Sequence, residues 1–464
     1  MEGLRNKMTP LKNPTIWGNR KLPKLDDYEP IVGPRVLEEL KSLARNLEGR
    51  RVLHINSTAT GGGVAEILNR MVPLLGELGV QSRWDVIKGG EAFYAVTKKM
   101  HNALHGREQV FDDKDFDVFL DIQENNLRQM KLDEDIVFVH DPQPIGLIKR
   151  KKEAGNKWLW RCHVDVSTPQ ASLWSFLRTF IEQYDQSVFS ARAFSQKLSI
   201  PQALICPSID PLSDKNREMS EDEIREIVSR LGIPLDKPLV TQVSRFDRLK
   251  DPVGVIKVFK QIKDDVDARL LLVGGTADDD PEGAEVLEEV MNERGSDPDI
   301  LVLPLPPTSH LEINAIQRVS TIILQKSLKE GFGLTITEAL WKGKPVIAAA
   351  VGGIPLQVIH KYSGILTHSI EDTAHWIRQL LHNPSFARKL GENGREHVRK
   401  NFLLTRHIRD YLLLFLSLYH SRDVASLADR KFSAAAIPLR RVEAAGGFPS
   451  ESSAGFAFGS RSSC

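Results

Sequence analysis

The chain has 464 residues, more than one ordinary hydrophobic core organises, so two domains with a cleft between them are predicted. Its 62 lysine and arginine residues nearly balance its 61 aspartate and glutamate residues. Because no overall charge attracts a polyanion, neither nucleic acid nor a membrane surface is expected as a partner, and any anion site must be local.

The N-terminal stretch is charged throughout and lacks the apolar centre of a signal peptide. No run of about 18 apolar residues could span a bilayer, so we expect a soluble, cytoplasmic protein. The three cysteines, Cys162, Cys206 and Cys464, lie far apart, which predicts neither a disulfide framework nor a thiolate metal site.

The first half of the chain alternates strand and helix patterns after an irregular, proline-containing lead-in to Pro34. Helices are predicted over 35–47, 64–78 and 171–183. Strands are predicted over 51–56, 117–122, 136–139 and 158–164, and near 188 and 204. This alternation favours an α/β domain whose mostly parallel sheet is covered on both faces.

A charged stretch after residues 207–211 (PSIDP) marks the predicted domain boundary. A second series of strands follows over 239–244, 269–273, 300–303 and 321–324, and a long apolar helix over 402–419 could cross back to the first domain. The predicted units are therefore residues 1–212, 213–400, a crossing helix at 401–424, and a disordered tail at 425–464.

Three consecutive glycines, Gly61, Gly62 and Gly63, stand between a predicted strand and a predicted helix. Glycine lets the backbone approach a ligand closely, and a helix N-terminus offers free N–H groups to a phosphate. The alternative is a plain tight turn, since the spacing matches neither a P-loop nor a dinucleotide fingerprint.

Two cations, Arg245 and Lys250, follow the strand at 239–244 in the segment SRFDRLKDP. Arginine can bind two oxygens of a diphosphate in a fixed fork, and lysine acts as a point charge. The alternative is a solvated loop whose cations pair with Asp247 and Asp251.

Two glutamates eight residues apart, Glu330 and Glu338, bracket a Gly-Phe-Gly turn and the start of a helix near Leu334. This spacing does not favour an acid/base pair that faces a single bond. An ionised carboxylate can instead accept hydrogen bonds from two sugar hydroxyls, so each glutamate would hold a different ring. The alternative is a helix with a capping glutamate.

The segment His140-Asp141-Pro142-Gln143-Pro144 ends another predicted strand. Ligands of open α/β sheets bind at the carboxyl ends of strands. A lone histidine there is more often structural, but its rigidly held polar neighbours favour a functional role.

Together these four elements resemble the retaining GT-B glycosyltransferases related to glycogen synthase and sucrose synthase, over about residues 51–402. Within that group, HINSTATGGGVAEIL, FVHDPQPIGL and LQKSLKEGFGLTITEAL are similar to the trehalose glycosyltransferring synthases, with fungal trehalose phosphorylases as near relatives. The resemblance implies a GT-B architecture, two Rossmann-like doubly wound domains with an interdomain cleft. The first domain would be the acceptor side and the second would bind the nucleotide sugar.

The resemblance also implies a reversible reaction in which glucose passes from a nucleoside diphosphate (NDP) glucose to glucose, giving α,α-trehalose with retention. The expected partners are these small molecules, no cofactor or metal is expected, and a homodimer is one option for assembly. The alternatives are a trehalose phosphorylase and a non-catalytic sugar-binding protein on the same fold.

Carried onto this sequence, the resemblance gives Arg245, Lys250, His140 and Glu330 catalytic roles, with the His140 main-chain carbonyl beside the anomeric carbon. The expected donor-binding residues are Gly61, Gly62, Gly63, Arg245, Lys250, Glu330, Gly331, Phe332, Gly333 and Glu338, the last holding the ribose. The expected acceptor-binding residues are Glu124, Asn125, Asp141, Arg161 and Asp165. Because no carboxylate nucleophile is evident, we favour front-face displacement, in which the leaving diphosphate accepts the acceptor's proton.

Overall fold

The computed structural model describes residues 22–59, 62–151, 155–275 and 281–419. Its strands are β1 (Arg51–Asn56), β2 (Gln81–Val86), β3 (Ile136–His140), β4 (Lys157–Cys162), β5 (Gln186–Phe189), β6 (Gln202–Leu204), β7 (Leu239–Val243), β8 (Arg269–Gly274), β9 (Ile300–Pro304), β10 (Ile322–Gln325), β11 (Val346–Ala349) and β12 (Ile365–Thr367). Its α-helices are α1 (Glu29–Val32), α2 (Pro34–Arg45), α3 (Gly63–Glu77), α4 (Glu91–Leu104), α5 (Asp113–Gln129), α6 (Ala171–Ile181), α7 (Glu221–Arg230), α8 (Pro252–Lys260), α9 (Pro281–Arg294), α10 (His310–Val319), α11 (Leu334–Trp341), α12 (Ile354–Gln357), α13 (Ile370–His382), α14 (Pro384–Asn401) and α15 (Leu404–Ser417).

The first domain is built on a parallel sheet of six strands in the order β2-β1-β3-β4-β5-β6. Alternate residues of its strands point to opposite faces, as the period of a strand requires. Leu53 and Val137 face the layer of α4, α5 and α6, whereas Val52 and Phe138 face α2, α3 and α15. Because both faces of the sheet are covered, β1, β3 and β4 are buried along almost their whole length, including polar residues such as His54 and Arg161.

The second domain repeats this plan with a parallel sheet in the order β12-β11-β10-β7-β8-β9. Leu270 and Leu272 pack with α8 on one face, while Leu271 and Val273 pack with α7 and α10 on the other. The chain is thus an α/β protein of two doubly wound domains, as the sequence predicts.

Each sheet has one point at which the strand order reverses. In the first sheet the reversal lies between β1 and β3, and in the second it lies between β7 and β10. Ligands of open α/β sheets bind outside the carboxyl ends of the strands at such points. The glycine loop and His140 follow β1 and β3, and the Arg245–Lys250 and Glu330 segments follow β7 and β10. All four sequence motifs therefore occupy the two reversal points.

Helix α15 packs against α2 and α3, which belong to the first domain, although it follows the second domain in the chain. The chain crosses between the domains at a short parallel bridge of Ile209 with Leu403. The bonds of Ile209 N with the Phe402 oxygen and of Leu404 N with the Ile209 oxygen, both 2.9 Å, hold the two crossing strands together.

The strand predicted over 117–122 is wrong, because these residues lie inside helix α5. Asp112 caps the helix by accepting a hydrogen bond from the Asp115 N–H, and the Asp115 carboxylate accepts in return from the Asp112 N–H. Buried Phe119 and Leu127 then recur at helical spacing. A short apolar run does not by itself distinguish strand from buried helix.

The irregular lead-in predicted to Pro34 is also wrong in part, because residues 25–28 form a 3-10 turn and α1 follows. Leu25 and Tyr28 are buried there, and the Tyr28 hydroxyl donates to Asp210 at 2.9 Å. Strand β2 is not predicted, since its sequence QSRWDV contains only two apolar residues and lies half-buried at the edge of the sheet. The predicted tail at 425–464 lies outside the described residues.

Candidate active site

The loop after β4 of the first domain and the loop after β10 of the second meet across the domain interface. A Cβ placed on Gly331 would lie 2.7 Å from the carbonyl oxygen of His163, so only glycine permits this approach. Lys329 Nζ donates to the Thr168 hydroxyl at 2.9 Å across the same boundary. The first domain's loop after β4 and the second domain's loop after β10 thus form the two walls of one cleft.

Glu330 is held in this cleft by a cation and a hydroxyl. Lys250 Nζ donates to Glu330 Oε2 at 2.5 Å, and Ser327 Oγ donates to the same oxygen at 3.2 Å. Gln242 fixes the loop of Lys250 by donating to its carbonyl oxygen at 3.0 Å. The pairing joins the loops after β7 and β10, so two of the predicted site residues are in direct contact.

Arg245 stands apart from that pair and keeps much of its side chain in solvent. Its guanidinium is 3.3 Å from Asp247 Oδ2, and the side chain is 54 % exposed. Asp247 also accepts a hydrogen bond from the Leu249 N–H, which fixes the loop. The ion pair with Asp247 that the alternative reading anticipated is therefore present, but it leaves most of the guanidinium accessible to an anion.

The turn from Glu330 to Gly333 depends on glycine at two more positions. Gly333 has φ +84° and precedes α11, so the first N–H groups of that helix face the cleft. Gly352 has φ +54°, and a Cβ on it would come within 1.7 Å of the Glu330 carbonyl oxygen. Phe332 is buried and packs with Phe402. The aromatic ring anchors the turn from below, while the backbone lines the cleft.

Glu338 lies in the middle of α11 with its side chain only 1 % exposed. Lys215 Nζ is 3.6 Å from its Oε1, and among the described residues its Oε2 has no hydrogen-bond partner. A buried, unpaired carboxylate oxygen is costly unless a donor reaches it. The Oε2 atom of Glu338 can therefore accept a further hydrogen bond.

The glycine loop of the first domain faces the same helix. Gly62 has φ +93°, and a Cβ on Gly63 would come within 2.8 Å of the Leu334 side chain at the start of α11. The N-termini of α3 and α11 thus lie next to each other across the interface. Gly61 lies outside the described residues.

His140 is fully buried, and both of its ring nitrogens are engaged. Nε2 lies 3.1 Å from His54 Nδ1, and Nδ1 lies 3.1 Å from His163 Nε2. Burial, reinforced by the neighbouring rings and Arg161, lowers the pKa of His140 well below its usual value, so the ring is neutral. Both ring nitrogens of His140 are therefore bonded to other histidines. Any contact of His140 with a ligand consequently has to use its main chain.

Asp141 and Asp165 lie at the first domain's wall. Asp141 adopts the left-handed conformation, with φ 66°, and its carboxylate accepts from the His163 N–H at 2.7 Å. Burial raises the pKa of Asp141 to about 6. Asp165 is buried and accepts from the Ser167 N–H at 2.9 Å, and a Cβ on Gly352 would lie 3.5 Å from its Oδ2.

The other three residues assigned to the acceptor pocket have contacts elsewhere. Arg161 is buried and donates to the Tyr411 hydroxyl at 2.7 Å and to the Ile205 carbonyl at 2.9 Å. Glu124 forms a 2.6 Å ion pair with Lys149 in which both side chains are more than 40 % exposed, and Asn125 is exposed. The bonds of Arg161 hold α15 against the first domain, and Glu124 and Asn125 lie on the surface of α5. These positions give no support to an acceptor role for the three residues.

Two histidines that the sequence analysis does not single out lie at the end of α4, His101 in its last turn and His105 directly after it. His101 and His105 are one turn apart, with ring centroids 4.6 Å from each other. Burial lowers the pKa of His105 to about 4, and the charges of Lys250 and Glu330 act on the ring from across the cleft. The only signal for them in the sequence is the spacing H-x-x-x-H. This spacing indicates a shared helix face only where a helix is predicted, and the sequence analysis predicts none over α4.

Metal and membrane features concern residues 22–59, 62–151, 155–275 and 281–419. There, no group of three His, Cys, Asp or Glu side chains could hold a metal ion. No helix among these residues is long and apolar enough to cross a membrane.

Comparison with known proteins identifies the family of the chain. Residues 54–196 match the family model of the trehalose synthase N-terminal domain, and residues 223–397 match that of the glycosyl transferases group 1. A trehalose synthase of Pyrococcus horikoshii is 43 % identical over 401 residues, which span 85 % of this chain and 96 % of that protein. The chain belongs to the trehalose synthase family.

Two further relatives of this trehalose synthase family member differ in how much of their length the chain matches. A trehalose synthase of Rubrobacter xylanophilus is 43 % identical over 404 residues, covering 85 % of this chain and 97 % of that protein. A trehalose phosphorylase of Pleurotus pulmonarius is 29 % identical over 432 residues, which span 81 % of this chain but only 58 % of the phosphorylase.

Among solved structures, sucrose-phosphate synthase from Thermosynechococcus elongatus superimposes with a TM-score of 0.64 at 20 % identity, over 80 % of this chain and all of that one. The trehalose-6-phosphate synthase OtsA superimposes with a TM-score of 0.64 at 14 % identity, over 79 % of this chain and 98 % of that one. The chain therefore has the GT-B fold and is a glycosyltransferase of trehalose chemistry.

Proposed function

We propose that the protein is a retaining glucosyltransferase that moves glucose from an NDP-glucose to glucose and forms α,α-trehalose reversibly. The observation that carries this proposal is the Lys250–Glu330 pair at the reversal point of the second sheet, where the half-exposed Arg245 belongs to the same loop as Lys250. One carboxylate for sugar hydroxyls and two cations for a diphosphate are the groups that such a donor needs.

In the proposed complex, Arg245 and Lys250 neutralise the diphosphate together with the N–H groups of the glycine loop, Gly61 to Gly63. Glu330 and the amides near Gly331 hold the transferred glucose. On the opposite side of the donor, Glu338 accepts hydrogen bonds from the ribose hydroxyls through Oε2, which has no partner among the described residues.

The proposed reaction is a front-face displacement. The bond from the anomeric carbon to the diphosphate oxygen breaks, and the hydroxyl oxygen of the acceptor glucose forms the new bond on the same face. Its proton passes to the leaving diphosphate oxygen, so neither a protein nucleophile nor a metal ion takes part. The protein would contribute orientation and stabilise negative charge as it develops on the leaving group.

The buried histidines and aspartates would assemble the acceptor side. His140 is fixed by His54 and His163, so its main-chain carbonyl would keep a constant position beside the anomeric carbon. Asp141 and Asp165 are the acceptor-pocket candidates that lie at the cleft wall, and we assign the acceptor hydroxyls to them.

A donor panel tests the proposal directly. The purified protein is mixed with glucose and ADP-, UDP- or GDP-glucose, and both NDP release and the disaccharide are measured. We expect NDP and a non-reducing disaccharide in equal amounts with at least one donor. If no donor releases NDP, the proposal fails.

The same experiment includes trehalose with inorganic phosphate as a separate arm, because the phosphorylase of Pleurotus pulmonarius is a relative of this chain. Breakdown of trehalose that depends on phosphate, without NDP release from any donor, would favour the phosphorylase. Binding of glucose without turnover in either arm would favour a non-catalytic sugar-binding protein.

A further inference from the structure

Three charged side chains meet at the domain interface beside the cleft. Lys215 Nζ lies 2.7 Å from Glu66 Oε1 and 3.6 Å from Glu338 Oε1. Glu66 belongs to the first turn of α3 in the first domain, and Glu338 belongs to α11 in the second. One ammonium group therefore stands between two carboxylates of different domains, and it forms a hydrogen bond with only one of them.

The turn that carries Lys215 is bonded to the second domain. Trp341 Nε1 donates to the Asn216 carbonyl oxygen at 3.2 Å, and Asn314 Nδ2 donates to the Asp214 carbonyl oxygen at 2.9 Å. Trp341 ends α11, and Asn314 lies in α10. The turn of Lys215 is thus bonded to the domain of Glu338, and it is also joined to the first domain through Asp210, which accepts from Asn216 Nδ2 and from the Tyr28 hydroxyl. Of the two carboxylate contacts of Lys215, the one with Glu66 crosses the interface.

The second carboxylate oxygen of Glu338, Oε2, is the one that is not paired with Lys215. This oxygen is buried without a partner among the described residues, and the nearby cation Lys342 donates to the Glu338 main-chain oxygen at 3.2 Å. A small cavity of about 20 Å³ borders the carboxylate and is lined by polar groups that include Glu66 and Ser208. This carboxylate oxygen is therefore buried beside a small space, lined by polar and apolar side chains, that is about large enough for one water molecule.

Charge balance explains why the ammonium stays between the two glutamates. Burial alone would lower the pKa of Lys215, but the negative charges of Glu338 and Glu66 outweigh this effect and raise it. The lysine is always charged, so it always needs a carboxylate. If the domains separate and Glu66 moves away with α3, Glu338 is the nearest carboxylate that remains.

We propose that Lys215 is a positioning residue that couples domain closure to binding of the donor ribose. With the domains together, Glu66 draws the ammonium away and leaves the Glu338 carboxylate for the ribose hydroxyls. With the domains apart, Lys215 pairs with Glu338 and competes with the nucleotide. This inference rests on the proposed function, because it requires a donor that carries a ribose.

The Glu66→Gln variant tests the coupling, since it removes the charge that draws Lys215 away. We expect the KM for NDP-glucose to rise about tenfold, with kcat and the KM for glucose within about twofold of the wild type, since the chemistry is untouched. The matched control is Glu182→Gln, which also breaks an ion pair, with Arg178 at 2.8 Å. Glu182 and Glu66 are both 28 % exposed, but Glu182 lies far from the interface on the surface after α6.

A double variant separates competition from a merely structural role. In Glu66→Gln/Lys215→Gln the competing ammonium is absent, so we expect the KM for the donor to return to within about threefold of the wild type. If the Lys215–Glu66 contact is merely structural, the double variant should instead have a higher KM for the donor than Glu66→Gln. Should Glu66→Gln not fold, Glu66→Asp carries the test, with an expected threefold rise in the same KM because the shorter side chain holds Lys215 less closely.

Two results would overturn the inference: an unchanged donor KM in Glu66→Gln and Glu66→Asp, or a double variant no better than the single one. Wild-type protein in the same assay keeps this failure separate from failure of the proposed function. If the wild type turns over NDP-glucose while the variants behave as the wild type, only the coupling is wrong. If the wild type does not turn over any NDP-glucose, the proposed function itself is wrong.

Discussion

Glu330 is the residue whose position carries most of the proposed chemistry. Its carboxylate joins the loop after β7 to the loop after β10 through Lys250 and is almost fully buried. Within this pair, each group fixes the other, so the site is formed before a substrate arrives. Such preorganisation avoids reorganisation during the reaction.

We therefore expect Glu330→Gln to lower kcat/KM for NDP-glucose by about a hundredfold or more, because the amide has one accepting oxygen instead of two and carries no negative charge. Steady-state kinetics and a thermal melt measure this, and the melting temperature should change little. Activity within a few-fold of the wild type would show that Glu330 does not hold the sugar.

Arg245 gives a second prediction at this scale. Arg245→Ala should lower kcat by about 10² to 10³-fold, the loss observed when one group that stabilises developing negative charge is removed. The control is Arg248→Ala three residues later, whose ion pair with Glu289 at 2.6 Å is on the exposed side of the same segment. A control as inactive as Arg245→Ala would mean that the loop, not the cation, had been disturbed.

The Arg161→Ala variant distinguishes a structural role of Arg161 from a role in binding the acceptor. The Arg161 guanidinium bonds Tyr411 and Ile205, so Arg161→Ala should lower the free energy of unfolding by about 3 kcal/mol, since it leaves these buried groups unpaired. Urea denaturation checks this against Arg178→Ala, an exposed pair expected to contribute less than about 1 kcal/mol. A stable Arg161→Ala protein with a raised KM for glucose would restore the acceptor assignment.

At the scale of elements, the turn between β10 and α11 depends on backbone geometry rather than on side-chain chemistry. Gly352 and Gly295 have similar positive φ, +54° and +61°. A Cβ on Gly352 would collide with the Glu330 carbonyl oxygen, whereas a Cβ on Gly295 meets nothing within 4 Å. The two glycines therefore separate the cost of φ from the cost of the close approach.

Gly295→Ala should cost about 1 to 2 kcal/mol of stability and leave activity unchanged. Gly352→Ala should in addition lower kcat/KM for the donor at least about tenfold, because Glu330 has to move. Parallel denaturation and kinetic measurements check both variants. Equal activity in the two would show that the position of the Glu330 main chain does not matter.

The elements that could be predicted from the sequence are those with a strong local signal. Strand β3 is almost entirely apolar, β1 and β7 contain short apolar runs, and α3 and α11 start directly after glycines. Helix α5 was mistaken for a strand because the apolar run Val118 to Ile122 hides the capping residues that precede it. Strand β2 pairs along only one edge, so the burial pattern that would reveal it is weak.

At the scale of the whole molecule, order along the chain predicts which loops carry ligands but not which side chains face one another. The motifs after β1, β3, β7 and β10 meet because each sheet reverses its order there. The His54–His140–His163 array and the Lys215–Glu66 pair join residues 23 to 149 positions apart. No local pattern encodes such contacts, so a sequence predicts the cleft better than the bonds inside it.

The most direct test of the central claim is the structure of the product. Wild-type protein and Glu330→Gln are incubated with unlabelled NDP-glucose and ¹³C-glucose, and the disaccharide is examined by NMR. We predict, for the wild type, α,α-trehalose with one labelled ring per molecule and one NDP released for each, and almost none for the variant. A β-linked product, a product without labelled glucose, or equal amounts from both proteins would contradict the account.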